Sequence, residues 1–285
     1  MPADAALPAQ GTAPPRRRVI TIENRFLPPL LITTILLVAH LSFGILESYT
    51  RTATAIGTAI LAELVMGRFS YGKWPHPASA YITGISVGIL LRSPFLWPYF
   101  LCSLISIATK YVLRFRGRHL WNPSNFGVSA LLLLAPDTVT LLSIQWGNAV
   151  APMAVIWVLG FAIVWRVGRL HISVTYVASF LLFSFIRTMV TGTPWLANVA
   201  PITGPMYQLF IFFMVTDPKT TVRSTRGQVL VVVLVAFVEM LLRLNEVIYA
   251  PFYALFIVGP LALLYEDLVH PRLVNRPILS HPVAN

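Results

Sequence analysis

The sequence predicts an all-α integral membrane protein with about ten transmembrane helices arranged as two inverted five-helix repeats. Three observations lead to this fold class: the apolar composition, the distribution of basic residues between apolar segments, and a tripeptide that occurs twice. Of 285 residues, 56% are hydrophobic and only 11% are charged, and the mean hydropathy is +0.74. Soluble domains carry about a quarter charged residues. The composition therefore indicates a chain whose main partner is the lipid bilayer.

Apolar segments follow one another along the whole chain and are separated by short polar loops. The ten segments are 27–46, 52–67, 78–92, 95–109, 123–136, 149–165, 170–190, 202–216, 228–243 and 247–265. They predict a membrane domain at 27–266, with one half at about 27–140 and the other at about 148–266.

Three of these segments, 78–92, 123–136 and 202–216, are shorter than the roughly twenty residues that a straight span requires. Short or interrupted helices are tolerated at membrane depth only where protein or a cavity surrounds them, and they often form binding sites. We therefore expect the functional site among these short segments.

The basic residues give the orientation in the membrane. Loops assigned alternately to the two sides place seventeen Lys and Arg residues on one side and four on the other. The richer side is cytoplasmic by the positive-inside rule, so we expect an inner-membrane protein with both termini in the cytoplasm. Residues 1–26 are expected to form a disordered tail and 267–285 a second cytoplasmic tail. The net charge of +11 is thus a signal of topology and does not indicate a nucleic-acid partner.

The repeated tripeptide supports two related halves. Ile82-Thr83-Gly84 opens the third segment and Ile202-Thr203-Gly204 opens the eighth. Segments five apart have opposite directions across a membrane, as in the inverted repeats of many carriers. Thr83 and Thr203 are therefore candidate site residues.

A polar motif precedes the fifth segment. The basic loop Lys110–His119 leads into Asn122-Pro123-Ser124-Asn125. Pro123 suits the first turn of a helix and Asn122 its N-cap, which leaves backbone N–H groups available to an anionic or carbonyl-bearing ligand. Asn122 and Asn125 are therefore candidate ligand contacts. The alternative is a capped helix start beside arginines that bind lipid headgroups.

A second polar motif, Thr216-Asp217-Pro218, ends the eighth segment. Pro218 prevents the helix from continuing, and the Asp217 carboxylate and nearby hydroxyls can bond free backbone groups. Thr216 and Asp217 are predicted to face the Asn122–Asn125 turn across a site. The alternative is a simple helix end in which Asp217 pairs with a basic residue of the following loop.

Two acids lie inside apolar segments, where an unpaired carboxylate is unfavourable. Glu239 precedes Arg243 by four residues and is expected to pair with it on one helix. Glu63 has no such neighbour, so we consider it the candidate residue of a proton or cation pathway.

The sequence contains no pattern typical of a metal site or of a catalytic nucleophile. There is one cysteine, Cys102, and the six histidines are scattered without the spacing of a metal site. Catalytic serine and nucleotide-binding motifs are also absent from the sequence. We therefore predict no metal site.

Three stretches resemble the signature regions of the RnfD/NqrB family, membrane subunits of the Rnf and sodium-pumping NADH:quinone oxidoreductase complexes. They are SAYITGISVGILLRSP, NPSNFG and ITGPMYQLFIFFMVTDPKTTVRSTRGQ, in patches from Ser79 to beyond Gly227. The resemblance implies ten helices in two inverted halves, like urea channels, and electron transfer through flavins coupled to Na⁺ or H⁺ movement. The short chain is similar to stand-alone relatives from natural-product gene clusters, including those for enediynes.

One part of the family pattern is missing. Members usually carry a Ser-Gly-Ala-Thr-like sequence whose threonine is joined to FMN, and the corresponding region here reads APDTVTLLSIQWGNAVAP. We therefore expect FMN or riboflavin held non-covalently, or a quinone, with other redox subunits as partners. The alternative functions are a cofactor-free channel or carrier for a small solute or cluster-encoded metabolite, and a subunit that only holds partners together.

Overall fold

The computed structural model describes residues 27–44, 46, 48–142 and 150–269. The predicted tail at 1–26 and most of the predicted tail at 267–285 lie outside these residues. The last helix continues to Val269, so residues 267–269 of the predicted tail are helical. We call 27–142 the first half and 150–269 the second half.

Helices account for most of the described residues, which confirms the all-α class. The helices are α1 Leu27–Phe43, α2 Tyr49–Tyr71, α3 Ala78–Leu90, α4 Trp97–Val112, α5 Pro123–Leu134, α6 Val150–Arg166, α7 Leu170–Thr191, α8 Trp195–Val199, α9 Pro205–Leu209, α10 Thr225–Leu244 and α11 Ala250–Val269. A 3₁₀ turn, Ala200–Thr203, follows α8, and a π-helical turn, Phe210–Met214, follows α9. Each of the ten predicted segments coincides with a helix, and the eighth is interrupted.

Four two-residue strands form two small antiparallel ladders. β1 Leu91–Arg92 pairs with β4 Thr140–Leu141, and β2 Arg114–Phe115 pairs with β3 Arg118–His119. The β2–β3 hairpin turns through Arg116 and Gly117, both with positive φ. It lies between α4 and α5, directly before the Asn122 motif.

Four helices are long and apolar enough to cross a membrane: α2, α7, α10 and α11. The stretch from Trp195 to Met214 qualifies as a fifth span if its two parts are counted together, with a bend of 63° between them. The remaining described apolar helices are shorter. The protein is thus a helical membrane protein with four or five candidate spans by length.

The short helices are enclosed by other helices, as their length predicted. Nine of the thirteen residues of α3 are buried, and seven of the twelve in α5. The π-helical turn is also mostly buried. Helices that reach only part of the way across a bilayer are thereby kept from lipid.

Packing relations recur between the two halves. α2 packs on α4 and α4 on α5, while α7 packs on α10 and α10 on α11. α1 contacts both α3 and α6. The helix backbones approach closely at Gly84, where an added Cβ would lie 2.6 Å from the Ile56 Cα.

Polar contacts connect the β2–β3 hairpin to the end of α11. Arg118 Nη1 lies 2.9 Å from Glu266 Oε2 and 3.5 Å from Asp267 Oδ1. Arg118 Nη2 also donates to the Thr221 carbonyl, 2.8 Å away. The two halves are therefore connected beside the loops that surround the candidate site.

Candidate functional site

A cavity of about 500 Å³ lies between the two halves. Its lining comes from α3, the end of α4, the hairpin, the start of α5, the end of α6 and the π-helical turn with the loop after it. The lining residues are Ala78, Ser79, Ile82, Thr83, Ser86, Lys110, His119, Asn122, Pro123, Ser124, Ile163, Val164, Val167, Arg169, Phe212, Phe213, Thr216, Asp217, Pro218 and Lys219. Its size lies within the range of small-molecule sites.

Asn122 caps α5 as the sequence predicted. Its Oδ1 accepts from the backbone N–H of Asn125 at 3.1 Å and from the Ser124 hydroxyl at 2.9 Å. Pro123 occupies the first turn. The amide group is thus fixed at the cavity wall, with its Nδ2 directed to the other half of the protein.

Asp217 organises the turn that follows the π-helical segment. Its Oδ1 accepts from the backbone N–H of Lys219 at 3.0 Å, and its Oδ2 accepts from the Thr220 hydroxyl at 3.1 Å. The Thr221 hydroxyl donates to the Asp217 carbonyl at 2.5 Å. These bonds are those expected of a carboxylate that satisfies free backbone groups at a helix end.

Asn122 and Asp217 meet across the cavity wall. Asn122 Nδ2 donates to Asp217 Oδ2 at 3.1 Å, and the two residues are 95 positions apart in the chain. The predicted opposition of the two polar motifs is therefore present in the structure. The same hydrogen bond is also a structural link between the halves.

The other predicted contacts divide into two groups. Thr83 and Thr216 line the cavity, and each hydroxyl donates to a carbonyl one turn earlier in its own helix. Asn125 and Thr203 are not among the lining residues. Asn125 is 1% exposed and its Nδ2 donates to the Phe252 carbonyl of α11. Thr203 lies in the 3₁₀ turn, at the opposite end of Pro205–Met214 from Asp217.

Glu63 lies beside the cavity in a buried ion pair. Lys110 Nζ lies 2.9 Å from Glu63 Oε2 and 3.0 Å from the Ser79 hydroxyl. The sequence placed Lys110 in a loop, and this was wrong: it belongs to α4 and is 6% exposed. α4 extends to Val112, past the predicted end of the segment at 109, and this extension brings Lys110 opposite Glu63. The pairing gives Glu63 a structural partner, and its role in an ion pathway stays a prediction.

The cavity has a cationic side on which two buried nitrogen atoms have no hydrogen-bond partner among the described residues. They are Arg169 Nη1 and His119 Nδ1. Burial, followed by the charges of Lys219, Arg114 and Lys110, lowers the pKa of His119 from 6.5 to about 4. His119 is therefore uncharged at neutral pH in a region of positive potential.

Part of the cavity lining is apolar. Ile163, Val164, Phe212 and Phe213 contribute to it. α6 approaches the π-helical turn closely here, because an added Cβ at Gly160 would lie 2.4 Å from the Phe212 ring. Apolar walls, one amide–carboxylate pair and nearby cations are the combination that suits a flat ring with a polar edge and a charged substituent. The residues present therefore fit a flavin.

A second buried carboxylate lies in the second half, away from this cavity. Glu239 is 1% exposed, and its oxygens accept from the hydroxyls of Tyr176 at 2.5 Å and Tyr207 at 2.6 Å. Arg243 Nη1 lies 4.0 Å from the same carboxylate, which confirms the predicted same-helix pair. The Glu239 carboxylate is thus fully bonded within the protein. The cavity between the halves therefore remains the candidate site.

Sequence reasoning missed Lys110, His119, Arg169 and Lys219 as cavity residues. The signal was available only in part: His119 precedes and Lys219 follows one of the short segments that were singled out, whereas Lys110 and Arg169 follow other segments. It placed them in loops, where basic residues are usually solvated. No group of three or more His, Cys, Asp or Glu residues able to hold a metal ion occurs in the described part of the chain.

The fold and cavity define a class, a helical membrane protein with an internal polar site between two helical halves. Comparisons with known proteins do not narrow this class further. No family model matches the chain, and no curated protein matches it.

Proposed function

We propose that the chain is a membrane electron-transport protein of the RnfD/NqrB type that holds a flavin, FMN or riboflavin, or a quinone non-covalently in the cavity. One observation carries the proposal. The three stretches that resemble the family signatures all contribute to this one cavity, through Thr83, Asn122 and Asp217 among others. A common ligand would explain why three stretches so distant in the chain line the same cavity.

The residues of this chain would have distinct roles toward that ligand. Phe212, Phe213 and Ile163 would hold a planar ring and exclude water from its faces. Asn122 and Asp217, already fixed by their own hydrogen bonds, would meet its polar edge. A bound flavin would supply the capacity for one- and two-electron transfer, and these contacts would set its potential.

The proposal includes the topology of the family: ten membrane segments in two inverted five-helix repeats, urea-channel-like, in the inner membrane with both termini in the cytoplasm. The recurring pairs α2 with α4 and α7 with α10 support the repeat. The basic residues that line the cavity, Lys110, Arg169 and Lys219, support a cytoplasmic opening.

Coupling to Na⁺ or H⁺ is proposed to involve Glu63. Lys110 contacts both Glu63 and Ser79, and both Lys110 and Ser79 line the cavity. A change of charge at the cavity would therefore alter the ion pair directly, since little water separates the groups. Electrons would enter from partner redox subunits.

The spectrum of the purified protein tests this function. The full-length chain should be yellow, with the absorption bands of an oxidised flavin, and denaturant should release that flavin without proteolysis. Asn122→Ala and Asp217→Ala should each lower the bound flavin by at least about tenfold, because each removes a polar contact to the ring edge. Asn245→Ala, at the far end of α10, is the matched control and should keep full occupancy. A colourless protein that also releases no quinone, or full flavin in both cavity variants, would refute the proposal.

A cofactor-free channel or carrier is the second candidate, and the interrupted helix favours it. The 63° bend between Trp195–Thr203 and Pro205–Met214, with a π-helical turn ending beside the cavity, is the kind of broken span that carriers use. A colourless protein that accelerates solute entry into liposomes, and loses this activity in Asp217→Ala, would support this function instead.

A further inference from the structure

We infer that the cavity binds its ligand through an anionic group, a phosphomonoester, which is held by Arg169. The inference rests on the proposed function for the ring of the ligand and goes beyond it by selecting FMN over riboflavin. The two differ only in the terminal phosphate, so the choice is a statement about one subsite.

The position of Arg169 is fixed by its local fold. α6 ends at Arg166, Gly168 turns the chain with a φ of +71°, and the backbone N–H of Arg169 donates to the Val164 carbonyl at 2.9 Å. The side chain reaches the cavity from the second half. The residue is partly exposed, and its Nη1 atom is buried.

The donors of Arg169 are incompletely used. Its Nη1 is buried and has no hydrogen-bond partner among the described residues. A guanidinium nitrogen that is removed from water and gains no acceptor costs free energy, because a charged group has been desolvated. An oxygen-rich anion would supply the missing acceptor, and the planar fork of arginine suits phosphate in particular.

The neighbouring carboxylates offset only part of the positive charge at the cavity. The Glu63 carboxylate is paired with Lys110. The Asp217 carboxylate attracts the guanidinium of Arg169. The cationic lining residues Lys110, Arg169 and Lys219 therefore exceed the two carboxylates by one charge.

His119 reports the same positive potential from the first half. It lines the cavity, and its Nδ1 is buried without a partner in the described part of the chain. Burial is the largest cause of its lowered pKa, and cations of the loop after Pro218, the hairpin and α4 lower it further. A bound anion would offset these charges, so binding would raise the pKa of His119.

An anionic lipid headgroup shares the chemistry of a phosphomonoester, and the test separates the two. The full-length chain is purified, and the flavin that denaturant releases is identified by chromatography. Flavin-free protein is then titrated with FMN and with riboflavin. FMN should be the released flavin and should bind at least about tenfold more tightly than riboflavin, the effect of one charge-assisted contact. Arg169→Gln should abolish this preference, while Arg166→Gln, an exposed arginine three residues earlier, should keep it.

A second measurement needs no flavin. Inorganic phosphate, compared with chloride at equal ionic strength, should raise the unfolding temperature of the wild type and of Arg166→Gln but not of Arg169→Gln. The unfolding temperatures of the same three proteins are also compared between nanodiscs of phosphatidylglycerol and nanodiscs of phosphatidylcholine, in a buffer without inorganic phosphate.

The outcomes are distinct. Riboflavin as the released flavin, equal affinity for both flavins, or a preference that survives Arg169→Gln overturns the anionic subsite while the proposed function stands. If neither a flavin nor a quinone binds, the proposed function fails, and stabilisation by phosphate that depends on Arg169 still supports the subsite. Stabilisation by phosphatidylglycerol alone assigns Arg169 to lipid and overturns the inference.

Discussion

Removal of Lys110 should strongly destabilise the protein, because it would leave the Glu63 carboxylate charged and buried. The two side chains are 7% and 10% exposed, and their charged atoms are 2.9 Å apart. Solvent therefore screens the pair little, and loss of one partner of a buried ion pair typically costs about 3–5 kcal/mol. Lys110→Met keeps the side-chain length and should lower the free energy of unfolding by about 3 kcal/mol or more.

The double variant Glu63→Gln/Lys110→Met measures the interaction between the two side chains, apart from the effect of each single substitution. It removes both charges, so its loss should be smaller than the sum of the single losses by about 2 kcal/mol. The free energy of unfolding is measured in mixed micelles titrated with SDS and followed by tryptophan fluorescence. Lys73→Met, at an exposed lysine, is the control. A Lys110→Met protein as stable as this control, or additive losses in the double variant, would show that the pair does not hold α2 and α4 together.

Three further predictions use the same unfolding measurement. Tyr207→Phe should cost about 1–3 kcal/mol, since it removes a hydroxyl donor from the buried Glu239 carboxylate; an unchanged stability would contradict this. Gly84→Ala should destabilise the α2–α3 contact, whereas Gly57→Ala, with no atom within 4 Å of its added Cβ, should be neutral or stabilising; the reverse order would contradict the packing. The wild type should lose stability as pH falls from 6.5 towards 4, because unfolded His119 binds a proton that the folded one does not, and His119→Asn should show a shallower loss; equal pH profiles would contradict the lowered pKa of His119.

The helices could be predicted from the sequence because each apolar segment has a local boundary signal. Asn122 and Pro123 mark the start of α5 by capping chemistry that involves only adjacent residues. Gly72 and Gly192 end α2 and α7 in the left-handed conformation. The sequence predicted only the segment 202–216 and did not predict α8. The break at Gly204, which divides one longer bent span, was therefore missed, because α8 and its 3₁₀ turn are short and follow a proline.

The site could be predicted only where its residues belong to such boundaries. Asn122 and Asp217 were placed opposite each other because each ends or begins a short segment. Asn125 does not line the cavity for a geometric reason: it lies in the first turn of α5, and its side chain is directed towards the Phe252 carbonyl. Lys110 and Arg169 could not be assigned, since a pattern of residues does not tell which basic side chains line a cavity.

The contacts of Arg118 have a consequence for how the chain is made. Arg118 reaches Glu266 and Asp267, almost 150 positions later. During synthesis these partners emerge long after Arg118, so its ion pairs between the two halves form only once α11 has been made. Long-range closure of this kind slows folding. Truncation before Glu266 should therefore yield a protein that is inserted but rapidly degraded.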